Sequence, residues 1–213
     1  PHNIPFVVLG AALLWFGRFG FNAGSALSSG GSATSAFVAT NTAAAVSALT
    51  WVALSWKFTG KVSVVGAATG AVAGLATITP AAGFVGPMPA MVIGLGAGTF
   101  CYLALSFKNR VRLDDSLDVW AVHGIGSTWG MVAAGLFVGV GLVGLEFSDF
   151  TLDGMNRGEQ MVRQLGAIAV SWVWAFAMTF VILFALKLTL GLRVKEEEEE
   201  QGLDLSQHGE KAY

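Results

Sequence analysis

The stretch LLWFGRFGFNAGSAL, residues 13–27, raises the question that decides the class of this chain. It is apolar enough to cross a membrane, yet Arg18 stands in the middle of it. A charged side chain inside a bilayer is costly, and it marks a functional position by default. The stretch therefore predicts a membrane helix that carries chemistry as well as packing.

The composition agrees with a membrane protein. Of 213 residues, 54% are hydrophobic and only 12% are charged, against about 25% charged in soluble domains. The net charge of −2 gives no reason to expect a nucleic-acid partner. Cys101 is the single cysteine, which excludes an intrachain disulfide or a cysteine-based metal site. Because the chain starts with PHNIPF and lacks an initiator Met, we expect it to be the C-terminal part of a longer protein.

Six apolar stretches predict an all-α membrane protein with six transmembrane helices. Each stretch reaches or approaches the ~20 residues that cross a bilayer. Helices are expected because lipid offers backbone groups no hydrogen bonds. The predicted spans are residues 4–27, 36–56, 62–79, 90–107, 117–143 and 161–190, in a membrane region of residues 1–192 followed by a tail of residues 193–213.

The distribution of basic residues predicts the orientation. Alternate hinges are basic, with Lys57 and Lys61, then Lys108, Arg110 and Arg112, then Arg193 and Lys195. Such hinges normally face the cytoplasm, so we expect a cytoplasmic C-terminus. Arg157 and Arg163 stand on the opposite side, among acidic residues.

Glycines at four-residue spacing predict a tight bundle. The pattern occurs as Gly20/Gly24, Gly66/Gly70/Gly74, Gly94/Gly98 and Gly126/Gly130. Small residues one turn apart let membrane helices approach closely. On the first helix, we expect the glycine face to pack. A different face would then present Arg18, Phe21, Asn22 and Ser25, which share one side by their spacing.

The intramembrane polar residues also have plain structural explanations. Phe21 could face lipid or the core, and Ser25 could bond a backbone carbonyl one turn back. His123, in DVWAVHGIGSTWG, could be a satisfied core histidine. Asp114, Asp115 and Asp118 precede the fifth span, where carboxylates favour a helix N-terminus.

Several segments taken together resemble the ammonium transporter family (Amt/Mep, with the Rh proteins as relatives). These are WFGRFGFNAGSAL, NTAAAVSALTW, TGAVAGLATITPAAGFV, DDSLDVWAVHGIGSTWG and the terminal GLRVKEEEEEQGLDLSQHGEKAY. The resemblance implies helices six to eleven of an eleven-helix fold, that is, the second inverted repeat and the final long helix. It also implies a homotrimer in the plasma membrane, with one pore in each subunit.

The resemblance implies roles for individual residues. Ser25 matches the serine that recruits ammonium beside an aromatic cage, and Phe21 matches a phenylalanine of the outer gate. His123 matches the second of two histidines lining a hydrophobic pore, through which ammonia passes after ammonium is deprotonated. No cofactor or metal is implied. An enzyme ranks last, because the sequence lacks convergent carboxylates, a metal cluster and a nucleophile–base pair.

Arg18 departs from the family pattern, which has an aromatic residue at this position, on the pore face. Three explanations remain open: a conducting variant with Arg18 turned away, a non-conducting ammonium sensor, or a sequence error. The tail matches the family pattern that contacts a PII-type signalling protein, with Gly191, Arg193, Asp204, His208 and Tyr213 as candidate regulatory residues. The run Glu196–Glu200 on its own reads as a solvated linker.

Overall fold

A computed structural model describes residues 3–140 and 156–211, and helices account for all the regular structure in these ranges. The helices are α1 Ile4–Gly24, α2 Gly31–Thr59, α3 Val64–Ile78, α4 Pro87–Arg110, a π-helix Trp120–Ile125 that continues directly into α5 Gly126–Phe137, α6 Arg157–Thr189, α7 Glu196–Gln201 and α8 Leu203–His208. The chain divides into two compact units, residues 1–166 and 167–213.

Among the described residues, four helices are long and apolar enough to cross a membrane: α1, α2, α4 and α6. The helix at the third predicted span, α3, has only 15 residues. It begins where the Ser63 side chain accepts the Gly66 N–H at 3.0 Å, and it ends just before Pro80, which cannot continue a helix. The last residues of the predicted span 117–143 lie outside the described residues.

The first unit is built around α2, which packs against α1, α3 and α4. The predicted glycine contacts occur on α3 and α4. A Cβ atom at Gly74 would lie 2.6 Å from the Ala43 carbonyl oxygen, and one at Gly94 would lie 2.5 Å from the same oxygen. Glycine is therefore required where the backbones of α3 and α4 both approach α2 at Ala43.

The helix α1 packs through a different face from the one predicted. Nothing lies within 4 Å of where a Cβ would stand at Gly17, Gly20 or Gly24. The contacts with α2 are made instead by larger side chains. These are a Trp15 Nε1 hydrogen bond to Asn41 Oδ1 (3.2 Å), a Phe19–Phe37 ring stack (4.1 Å between centroids) and an Asn22 Nδ2 hydrogen bond to Thr40 Oγ1 (2.9 Å).

The prediction of a packed glycine face on α1 is therefore wrong within the described residues. So is the placement of Asn22 on the outward face, because Asn22 is buried. The physical reason is that tryptophan, phenylalanine and a hydrogen-bonded asparagine gain more from packing on α2 than bare glycine does.

Arg157, which stands among acidic residues in the sequence, forms hydrogen bonds that explain its position. Its guanidinium donates to the Leu136 carbonyl at 2.5 Å and to the Val138 carbonyl at 3.4 Å. These carbonyls stand at the C-terminal end of α5, where backbone acceptors lack helical partners and a cation is favoured. Arg157 thus caps α5.

The second unit contains the remainder of α6 and the tail. The acidic run Glu196–Glu200, expected to be a solvated linker, forms most of the helix α7, and most of its residues are exposed. The Ser206 hydroxyl of α8 connects the two helices, because it donates to the Glu198 carbonyl of α7 at 3.1 Å. The tail therefore forms two short helices that are joined by Gly202 and contact each other.

Candidate functional site

Three of the predicted site residues share one face of α1. Arg18, Phe21 and Ser25 stand at i, i+3 and i+7 on this face, which we call the outward face because Phe21 and Ser25 on it are exposed. Phe21 is 60% exposed and Arg18 is half-buried. In this chain, α1 presents an aromatic ring, a guanidinium and a hydroxyl together.

Ser25 forms the backbone bond that its plain structural explanation expected. It caps the C-terminus of α1, and its hydroxyl donates to the Phe21 carbonyl at 2.6 Å. A hydroxyl has one proton to donate and two lone pairs. Because the proton is engaged within α1, the exposed oxygen retains its acceptor capacity. Ser25 can thus accept a hydrogen bond from a cation such as an alkylammonium.

Arg18 lies against the ring of Phe21. The guanidinium carbon is 5.0 Å from the ring centroid, within the range of a cation–π interaction. This contact offsets part of the free-energy cost of burying the arginine, and it keeps the positive charge on the outward face of α1. The Arg18 guanidinium therefore covers one face of the Phe21 aromatic ring.

His123 lies in the π-helix and is exposed among the described residues. Both α1, which carries Arg18, and the π-helix, which carries His123, pack against α3. The helix α3 therefore brings together two segments that are about a hundred positions apart in the sequence.

Of the acidic residues before the π-helix, Asp115 caps the helix start as the sequence suggested, whereas the Asp118 side chain has a different partner. Asp115 accepts the N–H groups of Val119 and Trp120, both at 3.0 Å. Asp118 pairs with the buried Lys108, which sequence reasoning treated only as a basic hinge residue. The sequence feature that could have indicated this ion pair is a lysine in the last turn of an apolar helix, a few residues before an acidic run.

The predicted tail residues are distributed along the second unit. Gly191 follows α6 with φ +82°, and the exposed Arg193 lies two residues further. Asp204 is in the first turn of α8, and His208 is its exposed last residue. Tyr213 lies outside the described residues.

Membrane-length apolar helices held together by glycines, with a cationic and aromatic cluster on the outward face of α1, define a multi-pass membrane protein. The profile of the Ammonium Transporter Family matches residues 1–213, and the chain belongs to this family. The members of the family to which it is similar are transporters, not enzymes.

Two curated relatives match the whole chain. The ammonium transporter Amt1 of Archaeoglobus fulgidus is 49% identical over 216 residues, which are 53% of its length. The ammonium transporter of Bacillus subtilis is 46% identical over 219 residues, which are 52% of its length. The chain thus spans about half the length of these relatives.

Solved structures of the family share the fold. Mep2 of Candida albicans superposes with a TM-score of 0.82 at 36% identity, over 93% of this chain and 44% of that one. A structure described as a sensor Amt protein superposes with a TM-score of 0.85 at 30% identity, over 97% of this chain and 49% of that one.

Proposed function

We propose that the protein containing this chain transports ammonium or ammonia across the plasma membrane. The chain would supply the C-terminal half, helices six to eleven, with residues 1–192 in the membrane region and residues 193–213 as a cytoplasmic tail. The family membership supports the substrate class, and the alternation of basic hinges supports a cytoplasmic C-terminus.

The observation that carries the proposal is the arrangement of Ser25 and Phe21. Ammonium has four N–H donors and no acceptor, so its site must offer lone pairs and negative electrostatic potential. The Ser25 proton is committed to the Phe21 carbonyl, which leaves the serine oxygen as an acceptor. The exposed Phe21 ring adds cation–π attraction once the ion is partly desolvated. The pair would recruit ammonium at the outer mouth.

His123 would act deeper in the pathway. A neutral imidazole has one donor and one acceptor, so it can hold ammonia or pass a proton. In the family pattern a second histidine faces it from a helix outside this chain. A hydrated metal cation finds no replacement for its water in an apolar pore and would be excluded by the cost of desolvation.

A non-conducting ammonium sensor is the alternative function. The Arg18 guanidinium lies against the Phe21 ring, which in our proposal attracts ammonium. A fixed cation there would oppose the passage of a second cation. The similarity to a sensor Amt protein also favours this alternative. Such a protein would bind ammonium at Ser25 and Phe21 and transmit the event, with little conduction.

The assembly and regulation that we propose follow the family resemblance. Each pore would lie within one subunit of a homotrimer, and a PII-type signalling protein would contact the cytoplasmic face. In the tail, His208 is exposed at the end of α8. Gly191, Arg193, Asp204 and Tyr213 complete the proposed regulatory segment.

Methylammonium uptake by the full-length protein in proteoliposomes tests the proposal. Ser25→Ala should raise the apparent KM about tenfold or more, since hydrogen bonds to charged groups contribute about 1.5–3 kcal/mol. Ser28→Ala is the matched control, because the Ser28 hydroxyl also bonds a nearby backbone carbonyl but lies in the exposed turn after α1. Equal KM values for both variants would contradict the recruitment site. Saturable ammonium binding without uptake or current would instead indicate the sensor.

A further inference from the structure

Lys108 is the single charged residue among the buried residues in the described part of the chain. It stands in the last turn of α4 and is 5% exposed. A buried ammonium group is costly unless it is paired and hydrogen-bonded. Its neighbour Arg110, two residues further along α4, is exposed. The burial of Lys108 therefore needs a specific explanation.

The ammonium group of Lys108 binds two residues of the segment that precedes the π-helix. It donates to the backbone carbonyl of Asp115 at 2.5 Å and forms an ion pair with the Asp118 carboxylate. Asp118 has φ +57°, a conformation that non-glycine residues seldom adopt. The lysine thus connects α4 to a turn with an uncommon backbone geometry.

The same two acidic residues start the π-helix. Both carboxylate oxygens of Asp115 accept backbone N–H groups, from Val119 and from Trp120. The Asp118 carbonyl accepts the N–H of Val122 at 2.9 Å. Every N–H in this set belongs to the turn that leads to His123. Lys108 therefore holds the two residues that fix the start of that turn.

The π-helix matters for the direction of His123. A π turn contains one more residue than an α turn, so it rotates every side chain beyond it relative to a continuous α-helix. On the buried side, the Cys101 thiol lies 3.9 Å from the Val122 carbonyl, where it donates a weak hydrogen bond. The direction of His123 thus depends on where the wide turn begins.

We propose that Lys108 is a positioning residue: by binding Asp115 and Asp118 it sets the start of the π-helix and so the direction of the His123 side chain. This geometric role does not require transport. Its consequence for transport rests on the proposed function of His123.

A cysteine reporter at position 123 of the full-length protein tests the geometry. In the His123→Cys background, Lys108→Met should change the rate of labelling by a water-soluble methanethiosulfonate at least about tenfold, as the side chain at 123 turns. Arg110→Met is the matched control, with an unchanged rate. Labelling of the protein that retains His123 measures the background reaction of the other cysteines. The contribution of Cys101 to this background should be small, because Cys101 is fully buried.

Two further variants keep the test decisive if Lys108→Met fails to fold. Asp118→Asn removes the ion pair and retains an acceptor, so it should shift the labelling rate in the same direction by a smaller factor. The exchange Lys108→Asp with Asp118→Lys should return the rate toward that of the parent. An unchanged rate in Asp118→Asn and in whichever Lys108 variant folds would overturn the proposal.

Uptake measurements separate this inference from the proposed function. With His123 intact, Lys108→Met should lower the maximal methylammonium uptake about tenfold to hundredfold, because small misplacements of a reacting group have effects of this size. The KM should not change, since Ser25 and Phe21 belong to α1. A raised KM with unchanged maximal uptake would overturn the positioning role. If Lys108→Met alters the labelling rate at position 123 but the protein with intact His123 and Lys108 shows no methylammonium uptake, the positioning role of Lys108 is supported and the transport proposal is rejected.

Discussion

The guanidinium carbon of Arg18 lies 5.0 Å from the centre of the Phe21 ring. The two residues are three positions apart on α1, so the contact is set by helical spacing. It places a permanent cation on the aromatic surface that, in our proposal, attracts ammonium. The conducting alternative requires that this contact can be displaced, whereas the sensing alternative uses it as a barrier.

Replacement of Arg18 should reveal this competition. A cation–π contact at an exposed site contributes about 0.5–1 kcal/mol, so Arg18→Trp should lower the apparent KM for methylammonium about two- to fivefold and raise uptake in the full-length protein. Arg18→Lys retains the charge and serves as the control. Equal uptake by the native protein and Arg18→Trp would show that Arg18 does not obstruct the pathway.

The glycines of α3 predict a graded loss of stability. Gly74→Ala would put a methyl group 2.6 Å from the Ala43 carbonyl oxygen, and overpacking of this kind costs about 1–3 kcal/mol. Gly66→Ala on the same helix meets the Trp51 side chain at 3.1 Å. That contact can relax, and alanine gains up to about 1 kcal/mol of helix propensity. Thermal unfolding in detergent should therefore show a larger fall for Gly74→Ala, and equal melting temperatures would contradict the close approach.

The buried hydrogen bond between α1 and α2 can be tested at Thr40. Its hydroxyl accepts from Asn22 and donates to the Ala36 carbonyl at 2.6 Å. Thr40→Val leaves the asparagine amide without this acceptor and should cost about 1 kcal/mol of stability. Thr42→Val removes a comparable backbone bond outside the buried contact. A melting temperature lowered equally by both substitutions would argue against a specific role of the Asn22–Thr40 pair.

Arg157 should protect the end of α5. Arg157→Gln removes the guanidinium from the Leu136 and Val138 carbonyls, at an expected cost of about 0.5–1 kcal/mol. Backbone amides near residues 136–140 should exchange hydrogen for deuterium faster, as followed by mass spectrometry. Arg163→Gln alters an exposed arginine on the same helix and should leave this exchange unchanged. Identical exchange in both variants would refute the capping role.

Much of the architecture could be predicted because it depends on local patterns. Long apolar runs indicated membrane helices, and glycines at four-residue spacing indicated the close contacts of α3 and α4 with α2. The carboxylate of Asp115 was expected at a helix start and is found there. Each of these features follows from one segment and its own periodicity.

Contacts between distant segments could not be predicted in the same way. Both faces of α1 carry plausible packing residues, and only the partners on α2 decide that Asn22 turns inward while the glycines stay open. The burial of Lys108 likewise depends on the path of the chain between α4 and the π-helix.

The sequence by itself determined that this chain is helical, belongs in a membrane and carries the motifs of its family, because hydrophobic length, glycine spacing and motif order can be read along one dimension. Only the tertiary structure decided where the charges of Arg18 and Lys108 lie. A charge in an apolar environment adopts the position in which a ring, a carboxylate or a carbonyl stabilises it, and those partners come from the folded chain.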